Sequence, residues 1–300
     1  MCFSLFVDNN LKVWYKQNKK GEIMVEISVS KTGAELISIK FNGQEKLHDG
    51  KNFWDRQAPI LFPMVGRLRE NKTIINNKTY EIPQHGFAKD MEFELIEDGN
   101  NRKVYYTKSN NETLKMYPFE FELYTIYETK ENELIVEYKV INKNKENMIF
   151  GIGGHPGFKI DLNQEDYYFE LDTLEDKIEF MEVEGNLISN KPAKNQLIDN
   201  KKILIQKDSF INDAIMIKNF KSKTITLKQK QDDKKILEFD ISNFPIVGIW
   251  TVPTAPFICI EPWFNTADKV IETGYFKDKE GIITLKPNEE FICKFSMKFF

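Results

Sequence analysis

The sequence predicts an all-β fold built mainly from antiparallel strands, either a large sandwich or a barrel, and three observations predict it. Apolar residues alternate with a period of two through most of the chain. The alternating runs are joined by short polar or Asn/Gly-rich segments at hairpin spacing. No stretch beyond about ten residues carries an amphipathic helical stripe with credible caps, so strands do not alternate with helices as βαβ units require.

Taken in order, Ile23, Val25, Ile27 and Val29 share one strand face, with Glu22, Glu26 and Ser28 on the other. Gly33 precedes a run through Ile37, Ile39 and Phe41, which Asn42-Gly43 closes as a turn. Asn76-Asn77 divides the segment from Thr73 to Ile82 into two short strands. Phe119, Phe121, Leu123, Thr125 and Tyr127 alternate, as do Leu134, Val136, Tyr138 and Val140, and the polar segment Glu128 to Glu133 joins these runs as a hairpin. Tyr167 to Leu171, Thr224 to Leu227 and Ile282 to Leu285 repeat the pattern. The polar stretch from Asn186 to Lys202 reads as a loop within a domain. Composition does not shift along the chain, and the expectation is one domain over residues 1–300.

Composition narrows the function. Of 300 residues, 41% are hydrophobic and 29% charged, enough apolar material for a core, and the net charge of −4 supplies no basic footprint for nucleic acid. Three cysteines, Cys2, Cys259 and Cys293, exclude a disulfide framework, and no CxxC pair suggests zinc. The start, Met1 to Asp8, has neither a basic region nor a long apolar one, so secretion is not expected. The uncharged, mostly apolar stretch Phe244 to Ile260 is interrupted by Pro245, Gly248, Pro253 and Pro256 and is shorter than the ~20 residues of a membrane helix. It reads as buried strands broken by turns, and the expected setting is a reducing cytoplasm. Arginine stands only at 56, 67, 69 and 102 among 42 basic residues, and three of the four crowd into one short stretch. Placing the planar, bidentate donor there in a lysine-rich chain points to a site.

Three residues stand out as candidates for chemistry. His85 lies in Gln84-His85-Gly86-Phe87, and His155 in Gly153-Gly154-His155-Pro156-Gly157. Glycines beside a histidine allow a sharp turn and close approach of a ligand, and Pro156 biases His155 to extended geometry. A histidine that only fills a core needs neither. Glu261 ends the apolar run Phe257 to Ile260, where a carboxylate has to be paired, hydrogen-bonded or functional. Trp263 and Phe264 beside it suit a sugar, whose C–H faces stack on aromatic rings. Asp213 follows Asn212 in what also reads as ordinary turn chemistry. His48, beside Asp49-Gly50, reads as part of a solvated turn without function. The chain has no G-x-S-x-G elbow, no P-loop and no H-E-x-x-H. Gly151-Ile152-Gly153-Gly154 does not open a helix, so it is not a dinucleotide fingerprint.

Four segments, in this order, resemble the aldose 1-epimerase (galactose mutarotase-like) family, and most closely its LacX-like branch: Pro59 to Arg67 (PILFPMVGR), Gln84 to Ala88 (QHGFA), Gly154 to Phe158 (GHPGF) and Ile260 to Trp263 (IEPW). The resemblance runs from Gly33 to the Leu285–Glu289 segment. It implies a single large antiparallel β-sandwich, the galactose mutarotase-like supersandwich, and a cofactor-free isomerase that binds a small aldose and interconverts its α and β anomers. By that resemblance His155 protonates the ring oxygen, Glu261 is the base at the C1 hydroxyl, His85 is the second histidine near the ring oxygen, and Arg67 and Asp213 contact sugar hydroxyls. No metal, nucleic acid or membrane partner is implied. Two departures bear on substrate choice: the segment Phe264-Asn265-Thr266-Ala267-Asp268 lacks the glycine usual in relatives, and Lys89 stands where relatives often have arginine.

The chemistry fits the residue types. Opening a hemiacetal takes a proton from the C1 hydroxyl and gives one to the ring oxygen, work for a carboxylate base and a histidine acid on opposite sides of that group. The acid has to be charged near neutral pH, so a carboxylate beside the histidine is expected. Four alternatives remain at this level. His85, His155 and Glu261 could form a two-histidine, one-carboxylate metal site. The fold could serve a non-catalytic sugar-binding module. Glu261 with Asp213 could form a glycosidase pair. Arg56, Arg69 and Lys89 could hold the phosphate of a hexose 6-phosphate, although the acidic chain and the absence of basic residues in the other cleft motifs favour a neutral sugar.

Overall fold

The structure, a computed structural model, describes residues 25–163 and 166–300. Cys2, the Met1–Asp8 stretch, Glu22 and Ile23 lie outside the described residues. Two antiparallel sheets dominate. The larger has ten strands in the order Leu197–Ile198, Lys202–Ile205, Tyr167–Leu171, Thr224–Gln229, Lys235–Asp240, Glu290–Phe299, Glu133–Asn142, Phe121–Lys130, Arg102–Lys108 and Glu94–Asp98. The second has seven. Glu179–Met181, Ile215–Lys218, Ile246–Trp250, Phe257–Trp263, Gly153–Gly154 and Ile60–Leu61 run side by side, and Gly157–Lys159 also pairs with Phe257–Trp263.

The alternation that predicted the strands is the alternation that buries them. Leu134, Val136, Tyr138 and Val140 point into the core, while the intervening residues stay partly exposed. The hairpin turn before them narrows to Glu131-Asn132, because pairing continues to Lys130↔Glu133. Asn76 and Asn77 both adopt positive φ between Lys72–Ile75 and Lys78–Glu81, the conformation a two-residue hairpin turn demands. The uncharged stretch from Phe244 resolves into Ile246–Trp250 and Phe257–Trp263, paired antiparallel across a proline-containing loop. The stretch from Asn186 to Lys202 is mostly loop, with short strands at Leu187–Ile188 and Leu197–Ile198.

The sheets face each other, so the fold is the large antiparallel sandwich rather than a barrel. Ile258, Ile260, Val247 and Ile249 of the smaller sheet share one buried cluster with Phe295, Met297, Phe239 and Val136 of the larger. Phe158 and Phe239 meet across the interface with ring centroids 6.2 Å apart. The α-helix Asn111–Met116 is only six residues long; Asn110 caps it by accepting from the N–H groups of Glu112 and Thr113. Among the described residues, no helix is long and apolar enough to cross a membrane.

One expectation is corrected. His48 is not in a solvated turn: it is 2% exposed. Its Nε2 lies 2.8 Å from the Trp54 carbonyl oxygen, and its ring packs on Phe257 at 4.3 Å. Asp49 does face solvent, but the apolar pocket under the loop takes the imidazole. A substitution at His48 would disturb Trp54 and is no neutral control.

Candidate active site

The strand Phe257–Trp263 supplies the floor of the site. Its even-numbered residues Ile258 and Ile260 enter the core, so Phe257, Cys259, Glu261 and Trp263 turn to the opposite face. There the surface opens into a cleft of about 1130 Å³. His155 reaches the same floor from the short segment between Gly153–Gly154 and Gly157–Lys159, both of which pair with the Glu261 strand. His155 Nε2 lies 3.0 Å from Glu261 Oε2, and the two residues are 7% and 1% exposed. The two side chains are therefore neighbours in direct contact, not groups on opposite sides of a gap. Such a pair could serve a hemiacetal, whose hydroxyl and ring oxygens are bonded to one carbon.

Burial raises the Glu261 carboxyl above the ordinary range. His155 acts against that rise, and Asp213 adds to it. The Glu261 Oε2–His155 Nε2 contact is close, yet it is not a hydrogen bond of good geometry. Glu261 Oε2, His155 Nδ1, Trp263 Nε1 and Arg67 Nε all lack a hydrogen-bond partner. All four belong to residues lining the cleft. Such a convergence of unsatisfied groups is costly in a core and useful where a polyhydroxylated ligand arrives to satisfy them.

His85 stands beside this pair, its ring edge-on to His155 with centroids 5.5 Å apart. Its backbone φ is +62°. The loop is clamped twice to Gly66: the His85 N–H donates to the Gly66 carbonyl at 2.8 Å, and the Gly66 N–H donates to His85 Nδ1 at 3.1 Å. With Nδ1 accepting, the neutral ring carries its proton on Nε2. Burial, His155 and Lys89 push His85 well below the usual histidine value, so it is neutral and a donor at Nε2.

Arg67 and Asp213 line the same cleft. Gly66 sets up Arg67: its φ is +75°, and a Cβ there would come within 2.5 Å of the Ala267 nitrogen. The segment that departs from the family pattern holds this turn from behind. Asn265 Oδ1 accepts from the Val65 N–H at 3.0 Å, the Asp268 N–H donates to the Arg67 carbonyl at 2.8 Å, and Asp268 Oδ2 accepts from the Arg69 N–H at 2.8 Å. Asp268 in turn forms a buried ion pair with Lys279. Asp213 sits at φ +99°, strain of about 1–3 kcal/mol for a non-glycine residue, which is common where a side chain has to be aimed. Burial raises its carboxyl, and the Ala214 N–H and His155 oppose the rise.

Trp263 lies across two glycines of the flanking strands. A Cβ at Gly153 would meet its Cδ1 at 2.8 Å, and one at Gly248 would meet its six-membered ring at 2.9 Å. Gly248 is also the register partner of Glu261. Two further tryptophans complete the wall. Trp54 packs on His155 at 4.7 Å, and Trp250 meets it edge-on at 5.6 Å. Neither Trp54, Trp250 nor Gly248 was singled out from sequence; each acquires its place only through strand pairing or loop packing.

Of the basic residues the phosphate alternative needs, Arg56 and Lys89 line the cleft and Arg69 is not among its lining residues. Arg56 is engaged by Glu35 at 3.3 Å, by Asp90 and by the Lys89 carbonyl at 3.1 Å. Lys89 donates to the carbonyls of Gln84 and Gly86, bracing the His85 loop from within. Gly66 makes a turn and Arg69 opens a 3-10 turn, so Arg67 and Arg69 do not share a strand face. Nor is the metal alternative met by its expected residues. Among the described residues, the side chains that converge as a metal-competent group are His155, Cys259 and Glu261, and His85 is not among them.

The comparisons with known proteins agree with this architecture. The family profile described as Aldose 1-epimerase matches residues 19–298. Protein LacX, plasmid, from Lactococcus lactis subsp. lactis is 31% identical over 274 residues, covering 85% of this chain and 90% of LacX. The X-ray structure of a galactose mutarotase related enzyme from Lactobacillus acidophilus matches with a TM-score of 0.85 at 31% identity, over 92% of this chain and 95% of that one. The crystal structure of a galactose mutarotase-like protein from Lactobacillus casei matches with a TM-score of 0.86 at 27% identity, over 93% and 100%. A match that spans nearly the whole sequence, with the sandwich and the cleft behind it, makes this chain a member of the aldose 1-epimerase family.

Proposed function

We propose that the protein is a cofactor-free aldose 1-epimerase of the cytoplasm, a single domain that interconverts the anomers of an unphosphorylated hexose. The observation that carries this reading is the His155–Glu261 contact at 3.0 Å on a cleft floor whose polar atoms are left unsatisfied. Glu261 takes the proton of the C1 hydroxyl while His155 gives one to the ring oxygen. The bond from C1 to the ring oxygen breaks, C1 becomes a carbonyl, and the enzyme is left with a neutral Glu261 and a neutral His155. Rotation about C1–C2 presents the other carbonyl face, and the same two groups reverse their roles as the ring closes. His85, donating at Nε2, stabilises the ring oxygen as charge develops there. Arg67 and Asp213 hold hydroxyls, and Trp263 offers its ring to the sugar.

The test is mutarotation of a panel of aldoses followed by polarimetry or NMR. Catalysed loss of optical rotation from freshly dissolved α-glucose or α-galactose supports the reading. No acceleration on any aldose leaves the binding-module alternative in its place.

Two expected results follow from the same geometry. Glu261 works as a base only when ionised, and its carboxyl titrates above the ordinary range. The acid limb of kcat/KM therefore lies at higher pH than a solvent-exposed glutamate would give, and activity falls as pH drops through it. A pH profile with its acid limb at or below the ordinary glutamate value contradicts this assignment. For substrate choice, Arg56 and Lys89 are already engaged, so glucose and galactose should have higher kcat/KM than their 6-phosphates at fixed ionic strength. A preference of about tenfold or more for a phosphate ester, lost in Arg56→Ala or Lys89→Ala, would overturn that choice.

A further inference from the structure

Cys259 takes no part in the chemistry above, yet its thiol lies beside both groups that do. It projects from the same strand face as Glu261, two residues away, beneath Trp54 and Trp250. Its Sγ, a ring nitrogen of His155 and a carboxylate oxygen of Glu261 all lie within 4.8 Å of one another, and all three residues are buried. A second observation points to a ligand at the same place: Glu261 Oε2 and His155 Nδ1 have no hydrogen-bond partner. Sulfur, imidazole and carboxylate together are the donor set of a borderline-soft divalent ion, and hard cations, which prefer oxygen alone, fit it poorly. Around a tetrahedral zinc ion, ligand atoms bonded at roughly 2.0–2.3 Å stand between three and four ångströms apart. The His155–Glu261 contact at 3.0 Å already has that spacing, so the trio is close to a zinc-binding geometry and needs only a contraction of the distances to the Cys259 sulfur.

We propose that His155, Cys259 and Glu261 form an inhibitory three-ligand site for a soft divalent cation such as Zn²⁺. Binding deprotonates the Cys259 thiol, releases that proton to solvent, and removes the carboxylate and the imidazole from the sugar. The metal competes with the substrate and is not required for turnover, which separates this site from a metalloenzyme centre. Ion binding depends only on the three side chains, whereas the inhibition rests on the proposed roles of Glu261 and His155.

The experiment starts from chelator-stripped protein and compares the unaltered chain with Cys259→Ser and, as a second variant, Cys259→Ala. Calorimetric titration with Zn²⁺ should show one ion per chain, Mg²⁺ should show none, and Co²⁺ should give a thiolate charge-transfer band. Both variants should bind Zn²⁺ at least about tenfold more weakly and lose the band. They should keep aldose turnover but escape inhibition by Zn²⁺, and saturating sugar should weaken Zn²⁺ binding to the unaltered chain. Absence of stoichiometric Zn²⁺ binding, or binding that neither Cys259 variant weakens, overturns the site. Loss of turnover on stripping that Zn²⁺ restores overturns the inhibitory role. If no aldose is turned over at all, the proposed reaction fails, while calorimetry and the cobalt spectrum still decide the metal site.

Discussion

Glu261→Gln is expected to lower kcat for mutarotation by at least about 100-fold, and His155→Asn to do the same, because each swap keeps the shape of the group and removes its proton chemistry. A carboxamide cannot accept the C1 hydroxyl proton, and an asparagine cannot deliver one to the ring oxygen. The double variant should be little worse than the weaker single one, since two groups acting in one step fail together. Folding should survive. Burial holds the Glu261 carboxyl above its unfolded value, so the folded state disfavours the charged form. The stability this group contributes is present at low pH and is lost as pH rises through its folded value. At neutral pH a neutral glutamine should therefore leave the melting temperature unchanged or slightly higher. Near-normal turnover in either single variant, measured on a protein shown to be folded, would remove the acid–base assignment.

Asp268→Ala should be the most damaging single substitution for stability, with an expected loss of about 3–5 kcal/mol. Asp268 and Lys279 have side chains only 3% and 2% exposed, so removing the carboxylate strands an ammonium in the interior. It also orphans the Arg69 N–H. Burial already lowers the Lys279 value, and Asp268, with a smaller contribution from Glu272, opposes that fall. Without Asp268 the folded-state value drops further below the unfolded one, so the unfolded chain binds more protons and stability rises with pH across that window. Urea unfolding at several pH values reads both effects. Adding Lys279→Met to Asp268→Asn, which removes both charges, should recover most of the loss. A stability loss below about 1 kcal/mol in Asp268→Ala, or one independent of pH, would show that the pair contributes little.

These two predictions divide along the line between what was legible in the chain and what was not. The strands could be read because burial on one sheet face writes itself into neighbouring residues with a period of two, as it does from Leu134 to Val140. His155 and Glu261 could be read because their local settings are anomalous: glycines and a proline around an imidazole, and a carboxylate at the end of an apolar strand. The apolar run Phe257 to Ile260 has no alternation to show which of its residues share a face with Glu261, and no local pattern says which strand lies alongside. Gly248 opposite Glu261, Trp54 over His155, and His48 buried under its turn depend on that pairing. So do the hydrogen bonds from Val65 to Asn265 and from Arg69 to Asp268, which join residues 200 and 199 positions apart. Arg56 and Lys89 illustrate the same limit: their charge was visible, but the acidic and carbonyl partners that engage them come from other segments and from backbone geometry. The sequence alone determined an antiparallel β protein with an aldose 1-epimerase pattern and its two most anomalous polar residues. Only the tertiary structure decided which charges are free, which are already paired, and that a thiol lies beside His155 and Glu261, because those properties belong to distances between segments that no local pattern encodes.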